Sequence, residues 1–334
     1  KGENSLKKRT LILTITLVSL LLIISAIFLF FPIGNMGKFS VLLFKKRVLK
    51  WLVILLVSLC VSISTISFQT IVQNRFLTPG VLGVESVFVL FQTLVYWGQL
   101  SLGMETAPNL WISIFTIVLQ IIFFFLIYRA FNDLLSIPFS MLLFICLAFG
   151  TLFRSLSTFV QVLMDPNEFD KLQGKLFPSF QRMHHQSELV IVVVILTAIS
   201  VIYLIRKHMV LNVFHLGKVQ AQILGVNVAK EEKWILLVIV LLTSLSTTLV
   251  GPMQFLGFMI ANVTYQWIKD YRHLQMWTIA FLLGSILLLG GQLVIEKLFQ
   301  LNIPISVVIE WFGGVLYFVL LLKGRYRSGI KKYS

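Results

Sequence analysis

Long runs of apolar residues alternate with short polar stretches along the whole chain. A helix needs about 20 mostly apolar residues to cross a hydrocarbon core roughly 30 Å thick. About ten segments reach or approach that length, so the pattern predicts an all-α integral membrane protein with one transmembrane domain over residues 1–334. The predicted spans are 11–31, 48–68, 81–98, 110–128, 136–163, 189–205, 234–250, 252–268, 275–295 and 305–322.

Two of these segments contain features that shorten or break a transmembrane helix. The third follows Pro79-Gly80 and contains Glu85, and the eighth begins at Gly251-Pro252 and ends in the polar stretch 262–266. Broken helices of this kind occur in transporters where irregular backbone lines a cavity.

The composition agrees with a chain dissolved in lipid. Of 334 residues, 58% are hydrophobic and 12% are charged, with a mean hydropathy of +0.93, which is too apolar for a soluble domain of this size. The net charge of +15 is attributed to loops facing anionic lipid and not to nucleic-acid binding. Cys60 and Cys146 lie in separate apolar segments, where they are predicted to pack and not to bind metal.

The distribution of basic residues predicts the orientation. Ten crossings place both termini on one side, and most Lys and Arg residues fall in the loops on that side, which predicts cytoplasmic termini. The first apolar run is too long for a signal peptide, so we expect it to remain as an anchor. A basic cluster in the outer segment before the second span breaks the rule: Lys38, Lys45, Lys46, Arg47 and Lys50.

Two loops are long enough to carry structure of their own. The outer segment, about 164–188, contains apolar residues that need burial, which predicts an ordered loop with a short helix. The inner segment, about 214–227, repeats apolar residues at helical spacing between Gly217 and Gly225, which predicts a short amphipathic helix. Such a helix either lies on the lipid surface or docks a cytoplasmic partner.

Two kinds of chemistry find no support in the sequence. No Gly-x-x-x-x-Gly-Lys-Ser/Thr loop is present, so if ATP drives this protein, ATP and Mg are bound by another chain. No nucleophile, base and orienting group occur in a recoverable pattern, so the chain is predicted not to be an enzyme and to bind no cofactor or metal.

Four stretches resemble, in order and spacing, the permease family of bacterial ABC importers for iron-siderophore complexes and vitamin B12, the FecCD-like family. Stretch 68–84 contains FQT and NRFLTPGVLGV, similar to Phe-Gln-x(4)-Asn-Pro-Leu-Ala-x-Pro-Gly-x-Leu-Gly. Stretch 216–228, LGKVQAQILGVNV, is similar to the family helix that ends in Ser-Leu-Gly-Val-Asn. Stretch 251–258, GPMQFLGF, is similar to Gly-Pro-Ile-x-Phe-Val-Gly-Leu, and 303–308, IPISVV, resembles the start of the last family helix.

The chain departs from the family pattern at two places. Arg75 stands where the family usually has proline, and residues 260–263 stand where many members have Pro-His-Ile-Ala-Arg. These two departures concern the details near the inner loops and not the family.

Stretch 164–174 also looks like one branch of the family, in which two different permeases pair to import catecholate or related siderophores.

The resemblance implies a type II ABC importer permease architecture with ten helices per subunit. It also implies an ATPase-coupling role for the inner helix, through Leu216, Gly217, Gln220, Leu224, Gly225 and Val226. Basic residues at the outer mouth of the family receive a substrate-binding protein, and the matching residues are Lys46, Arg47 and Lys297. Solvated or lipid-facing charges are the alternative for these three residues.

The fifth span carries polar residues at steps of three and four: Arg154, Ser157, Thr158 and Gln161. In the family this helix lines the central pathway of a dimer, which implies that these residues meet the cargo. The alternative is that Arg154 extends to the outer interface while the hydroxyl groups bond to their own helix.

The resemblance implies a complete set of partners in the bacterial cytoplasmic membrane. These are a second permease, with a heterodimer favoured over a homodimer, two cytoplasmic ATPases and an extracytoplasmic substrate-binding protein. The expected cargo is a ferric siderophore, with haem or cobalamin as alternatives. An ion-coupled secondary transporter is the rival from another class, supported by Glu85 and Arg154.

Overall fold

The structure is a computed structural model that describes residues 2–30, 41–103, 110–135, 139–180, 187–268, 272–298, 304–315 and 319. Its helices are α1 (Gly2–Phe30), α2 (Val41–Val72), α3 (Val84–Ser101), α4 (Leu110–Leu135), α5 (Phe139–Val162), α6 (Pro166–Leu176), α7 (Ser187–Arg206), α8 (His208–Phe214), α9 (Lys218–Ile223), α10 (Val228–Val250), α11 (Gln254–Trp267), α12 (His273–Leu298) and α13 (Ile305–Val315). A 3-10 turn, Pro79–Leu82, precedes α3. These described parts contain no strand, which confirms the all-α fold class.

Each predicted span coincides with a helix. Seven of the described helices are long and apolar enough to cross a membrane: α1, α2, α4, α5, α7, α10 and α12. The helices at the third and eighth spans, α3 and α11, are shorter or more polar, as the sequence features there predict. The last predicted span, 305–322, is described through residue 315 and at residue 319, and residues 181–186 of the predicted outer loop lie outside the described residues.

Helices α2 and α10 form the centre of the bundle. They are the most buried of the seven long helices, and they pack against each other and against α12, α7 and α4. Two glycines bring neighbouring helices close to α2, because a Cβ at Gly257 would collide with Thr65 and one at Gly284 would lie 2.6 Å from Ser58 Oγ. In contrast, α1 and α5 leave most of their surfaces exposed.

The packing of α2 against α12 defines two ends of the molecule. Lys50 of α2 contacts Glu296 near the end of α12, whereas Thr70 of α2 contacts His273 at the start of α12. The two helices are therefore antiparallel. At 1.5 Å per residue, about 40 Å separate Lys46 from the end of α2, so residues near Lys46 and near α8 lie at opposite ends of the bundle. We name them the outer and the inner end after the orientation that the basic residues of the sequence predict.

Two breaks in the helical structure lie side by side within the bundle. Gly251 ends α10 with φ 112°, and Pro252 precedes the start of α11. Gly83, with φ 78°, joins the 3-10 turn to α3 and packs against Gly150 of α5. Both positive φ values favour glycine. Because they start at these breaks, α3 has 18 residues and α11 has 14.

Candidate functional site

The inner segment forms a compact turn of two short helices, α8 and α9. Gly217 separates them with φ 112°, and a side chain there would collide with Gln220. Gly225 closes α9 with φ 84°, and the Val226 N–H donates to Ala221 O at 3.0 Å in a Schellman-type end. The predicted helix over 214–227 is therefore a six-residue helix between two glycine turns.

Four apolar side chains of this turn are exposed. Leu216 is 60% exposed, Val219 65%, Ile223 79% and Leu224 61%. We call these four residues the inner apolar patch. Of the predicted coupling residues, Leu216 and Leu224 belong to it, Gln220 is exposed beside it, and Gly217 and Gly225 form the turns that present it. Val226 is half-buried behind it.

Ion pairs fix the other face of the turn to the membrane helices. Lys218 Nζ donates to both carboxylate oxygens of Glu232 on α10, at 2.8 and 2.9 Å. Lys207 pairs with Glu231 at 2.6 Å, and this hydrogen bond raises the pKa of Lys207. Ala221 is fully buried underneath. These contacts attach the inner apolar patch to the start of α10.

A histidine connects α8 to the bundle. The backbone N–H and Nδ1 of His273 lie 2.9 and 2.7 Å from Asn212 Oδ1 on α8. Because this oxygen can only accept, Nδ1 carries the proton, and Nε2, 2.9 Å from Thr70 Oγ1, is an acceptor. Gln73 Nε2 also donates to Phe214 O at 3.3 Å. Displacement of α8 would therefore act directly on α2 and α12.

The two departures from the family pattern meet beside this turn. The Arg75 guanidinium lies 4.7 Å from the ring of Tyr265, and Arg75 O accepts hydrogen bonds from Gln69 at 2.9 Å and Asn262 at 3.4 Å. Gln69, Arg75 and Tyr265 border an open cleft of about 320 Å³ next to Leu216. Arg75 and the 260–263 stretch therefore form one contact region near the inner end.

The basic residues at the outer end divide into two groups. Lys46 and Lys297 are exposed. Arg47 turns inward, where it donates to Phe28 O at 2.7 Å and lies 3.7 Å from Glu296 Oε2. Lys50 pairs with Glu296 Oε1 at 3.1 Å. The charges of Arg47 and Lys50 are thus neutralised by a buried carboxylate of the same chain. Lys38 lies outside the described residues.

The polar residues of α5 also divide. Ser157 and Gln161 are buried against α3, where Gln161 Nε2 donates to Thr93 Oγ1 and to Ser157 Oγ, both at 3.0 Å. Arg154 and Thr158 are exposed on the adjacent strip of the helix. Two of the four predicted pathway residues thus face the interior of the subunit, and two face outward.

The outer loop contains α6, which lies over the end of α3. Glu168 Oε2 accepts a hydrogen bond from Tyr96 at 2.6 Å, and Lys175 lies 4.5 Å from the Tyr96 ring. Lys171 pairs with Glu168 at 2.6 Å, and these hydrogen bonds from Lys171 and Tyr96 lower the pKa of Glu168. Within the described residues, no group of three or more His, Cys, Asp and Glu side chains is arranged to hold a metal ion.

Residues 9–323 match the model of the FecCD transport family. The chain belongs to that family. The petrobactin import system permease protein YclO of Bacillus subtilis (strain 168) is 35% identical over 307 residues, which cover 92% of this chain and 96% of that protein. The petrobactin import system permease protein FatC of Bacillus anthracis is 30% identical over 285 residues, covering 84% and 79%.

A solved structure shares the FecCD fold described above. The structure of a metal-chelate type ABC transporter in an inward-facing conformation superimposes with a TM-score of 0.78 at 22% identity, covering 94% of this chain and 99% of that one. The family expected from the four sequence stretches is confirmed. The chain is a multi-pass membrane permease subunit of an ABC importer and not itself an enzyme.

Several partners of the predicted residues were not visible in the sequence. Glu296 lies 246 positions from Lys50, and His273 lies 203 positions from Thr70, so neither contact follows from local spacing. Glu231 and Glu232 are close in sequence to Lys207 and Lys218, but their pairing depends on the turn at Gly225. The sequence contained one signal for Glu296: an acidic residue at the end of an apolar segment indicates a carboxylate that needs a partner.

Proposed function

We propose that this permease translocates a ferric siderophore into the cytoplasm, powered by ATP hydrolysed on separate ATPase subunits. The observation that carries the cargo is the similarity, over nearly the whole length of both chains, to a petrobactin import permease. A second petrobactin permease is also similar over most of its length. Haem and cobalamin are the alternative cargoes.

The inner apolar patch supports coupling to an ATPase. An exposed group of apolar side chains on a turn that is ion-paired to the bundle is typical of a protein interface. A helix that lies on lipid usually has several Lys and Arg residues on its polar face that are available to anionic headgroups. Here α9 has six residues, and its lysine, Lys218, is paired with Glu232. We therefore favour docking of a cytoplasmic ATPase over contact with lipid.

The assembly proposed here has this chain beside a second permease. Helix α5 leaves most of its surface exposed, including Arg154 and Thr158. An arginine at membrane depth normally faces a bundle interior or a water-filled pathway. We assign these two residues to a pathway shared with the second permease, and we favour a heterodimer because stretch 164–174 resembles the branch of paired permeases.

The orientation proposed for the chain follows from the ten predicted spans and the distribution of basic residues. The inner apolar patch would face the cytoplasm with both termini, and Lys46 and Lys297 would face the outside of the bacterial membrane. An extracytoplasmic binding protein would dock there through acidic residues. ATP and Mg would be held by the two ATPases, with no cofactor on this chain.

Uptake of radioactive iron tests the cargo. Cells that lack this chain and cells in which it is restored are offered radioactive iron bound to petrobactin, to a catecholate or to a hydroxamate. Separate cultures are offered iron-labelled haem or cobalt-labelled cobalamin. We expect loss and recovery of uptake for one ferric siderophore. If uptake of every ferric siderophore stays normal and uptake of haem or cobalamin is lost, the cargo is haem or cobalamin and not a siderophore.

A further inference from the structure

A small polar cavity lies between α2, the two helix breaks and α10. It has room for one water-sized particle, about 20 Å³. Its lining combines the carboxylate of Glu85 with hydroxyl side chains from α2, the loop before the 3-10 turn, and α10: Ser64, Thr65, Thr78, Thr243, Ser246 and Thr247. We call it the Glu85 cavity. A carboxylate inside an apolar bundle is energetically costly and normally has a bound partner or a function.

The Glu85 carboxylate is incompletely satisfied. Glu85 is 7% exposed, and it lines the same cavity as the Gln254 side chain at the start of α11. Its Oε2 has no hydrogen-bond partner among the described residues, and no ion pair within the described ranges includes it. Arg154 and Glu310 influence it electrostatically with opposite signs. A buried carboxylate in this state favours a bound positive charge.

Four of the six hydroxyl groups around the carboxylate donate their hydrogen to backbone carbonyl oxygens. Thr243 donates its hydrogen to Ile239 O, and Ser246 and Thr247 donate theirs to Thr243 O. Ser64 donates to the carbonyl oxygen three residues before it. A hydroxyl has one hydrogen, so these four side chains have acceptor lone pairs left for the cavity. Four acceptor oxygens beside a carboxylate suit a cation and do not suit an anion.

Charge and size define the class of cation. Oxygen ligands select hard ions, and Ca²⁺ or Mg²⁺ would require several carboxylates or retained waters. The Glu85 cavity offers one carboxylate and room for one particle. A monovalent ion would neutralise Glu85 without leaving excess charge in the membrane.

We propose that the Glu85 cavity binds one dehydrated monovalent cation of the size of Na⁺. Glu85 Oε2 and the hydroxyl oxygens of α2 and α10 coordinate it. The ion stays bound and joins the start of α3 to the break between α10 and α11, where Gln254 also lines the cavity. This role is independent of the cargo, so it holds for any substrate of the importer.

Binding of radioactive sodium to the purified full-length chain in nanodiscs tests the proposal. With choline chloride keeping the ionic strength constant, we expect saturable binding of one sodium ion per chain and a higher Tm in sodium chloride than in choline chloride. Glu85→Gln removes both effects. The matched control is Glu310→Gln, which removes an exposed carboxylate near Glu85 and retains both effects.

Three results would overturn the proposal. The first is an absence of saturable sodium binding to the wild-type chain, and the second is wild-type binding by Glu85→Gln. The third is a Tm that changes with pH but is equal in the two salts, which would indicate a bound proton. If Glu85→Gln does not fold, Thr247→Val removes one coordinating oxygen and is expected to weaken sodium binding at least about tenfold. Unchanged affinity in that variant would also contradict the site.

Discussion

At the level of single residues, Glu296 holds the outer ends of α2 and α12 together. Its carboxylate contacts Lys50 and Arg47 and accepts a hydrogen bond from Gln292 at 3.0 Å. The side chain of Glu296 is 2% exposed, and that of Lys50 is 11% exposed. A pair this deeply buried is costly to break, because the remaining charge stays away from water.

Replacement of Glu296 by alanine is therefore expected to destabilise the permease. Two partly buried cations lose their counter-ion, which costs about 3 kcal/mol for a buried pair. Thermal unfolding in detergent measures the effect as a lower Tm. The control is Lys46→Met, which removes an exposed cation at the same end of α2 and should leave the Tm unchanged. An equal Tm for Glu296→Ala and the wild type would contradict the assigned role.

Glu168 gives a residue-level prediction that depends on pH. Hydrogen bonds from Lys171 and Tyr96 hold its pKa below the usual value of 4.5. The ionised group therefore stabilises the folded state above about pH 4.5, and this contribution disappears as the pH falls through the lowered pKa. Wild type is expected to have a higher Tm than Glu168→Gln at pH 7, with the difference decreasing below pH 4.5. A difference that is constant with pH would indicate a role unrelated to charge.

The scale of helices shows what the sequence pattern could predict. Apolar runs predicted a helix at every span, and the Pro-Gly and Gly-Pro pairs predicted that α3 and α11 would be short. The pattern predicted one helix over 214–227, whereas the structure has α9 between two turns, because Gly217 and Gly225 adopt positive φ. On α5, a period of three and four residues did not separate Ser157 from Thr158, since only packing against α3 decides which strip is buried.

The inner apolar patch yields a prediction for one element. Ile223→Glu places a charge on its most exposed side chain, so we expect the ATPase to dissociate from the purified complex while the Tm of the permease is unchanged. Co-purification of the ATPase measures the effect. Ala229→Glu adds the same charge at an exposed position on the nearby start of α10 and should retain the ATPase. Retention of the ATPase by Ile223→Glu would favour a lipid-facing patch.

At the scale of the whole molecule, the two proposed docking regions lie at opposite ends of the bundle. The sequence predicted both regions through family resemblance, because the resemblance covers local stretches that fold locally. It did not identify the contacts that connect them to the bundle, such as Lys50 with Glu296 and Thr70 with His273, since these join residues that are distant in the chain. The inner turn thus connects to the helix pair whose other end carries Lys46 and Lys297.

The outer end is expected to bind its partner through charge. In the double variant Lys46→Glu/Lys297→Glu, two exposed cations become anions, so association of the binding protein should slow by about tenfold at low salt. The difference should shrink as salt screens the charges. Binding kinetics with the reconstituted importer measure this effect. An association rate equal to the wild type at low salt would leave these lysines as solvated charges.

Transport in proteoliposomes tests the central claim most directly. The permease, its partner permease, the two ATPases and the binding protein are reconstituted with ATP on the side of the ATPases and without an ion gradient. Accumulation of a radioactive ferric siderophore that requires ATP hydrolysis is the predicted result. Uptake without ATP that follows a proton or sodium gradient would contradict the account and identify an ion-coupled transporter.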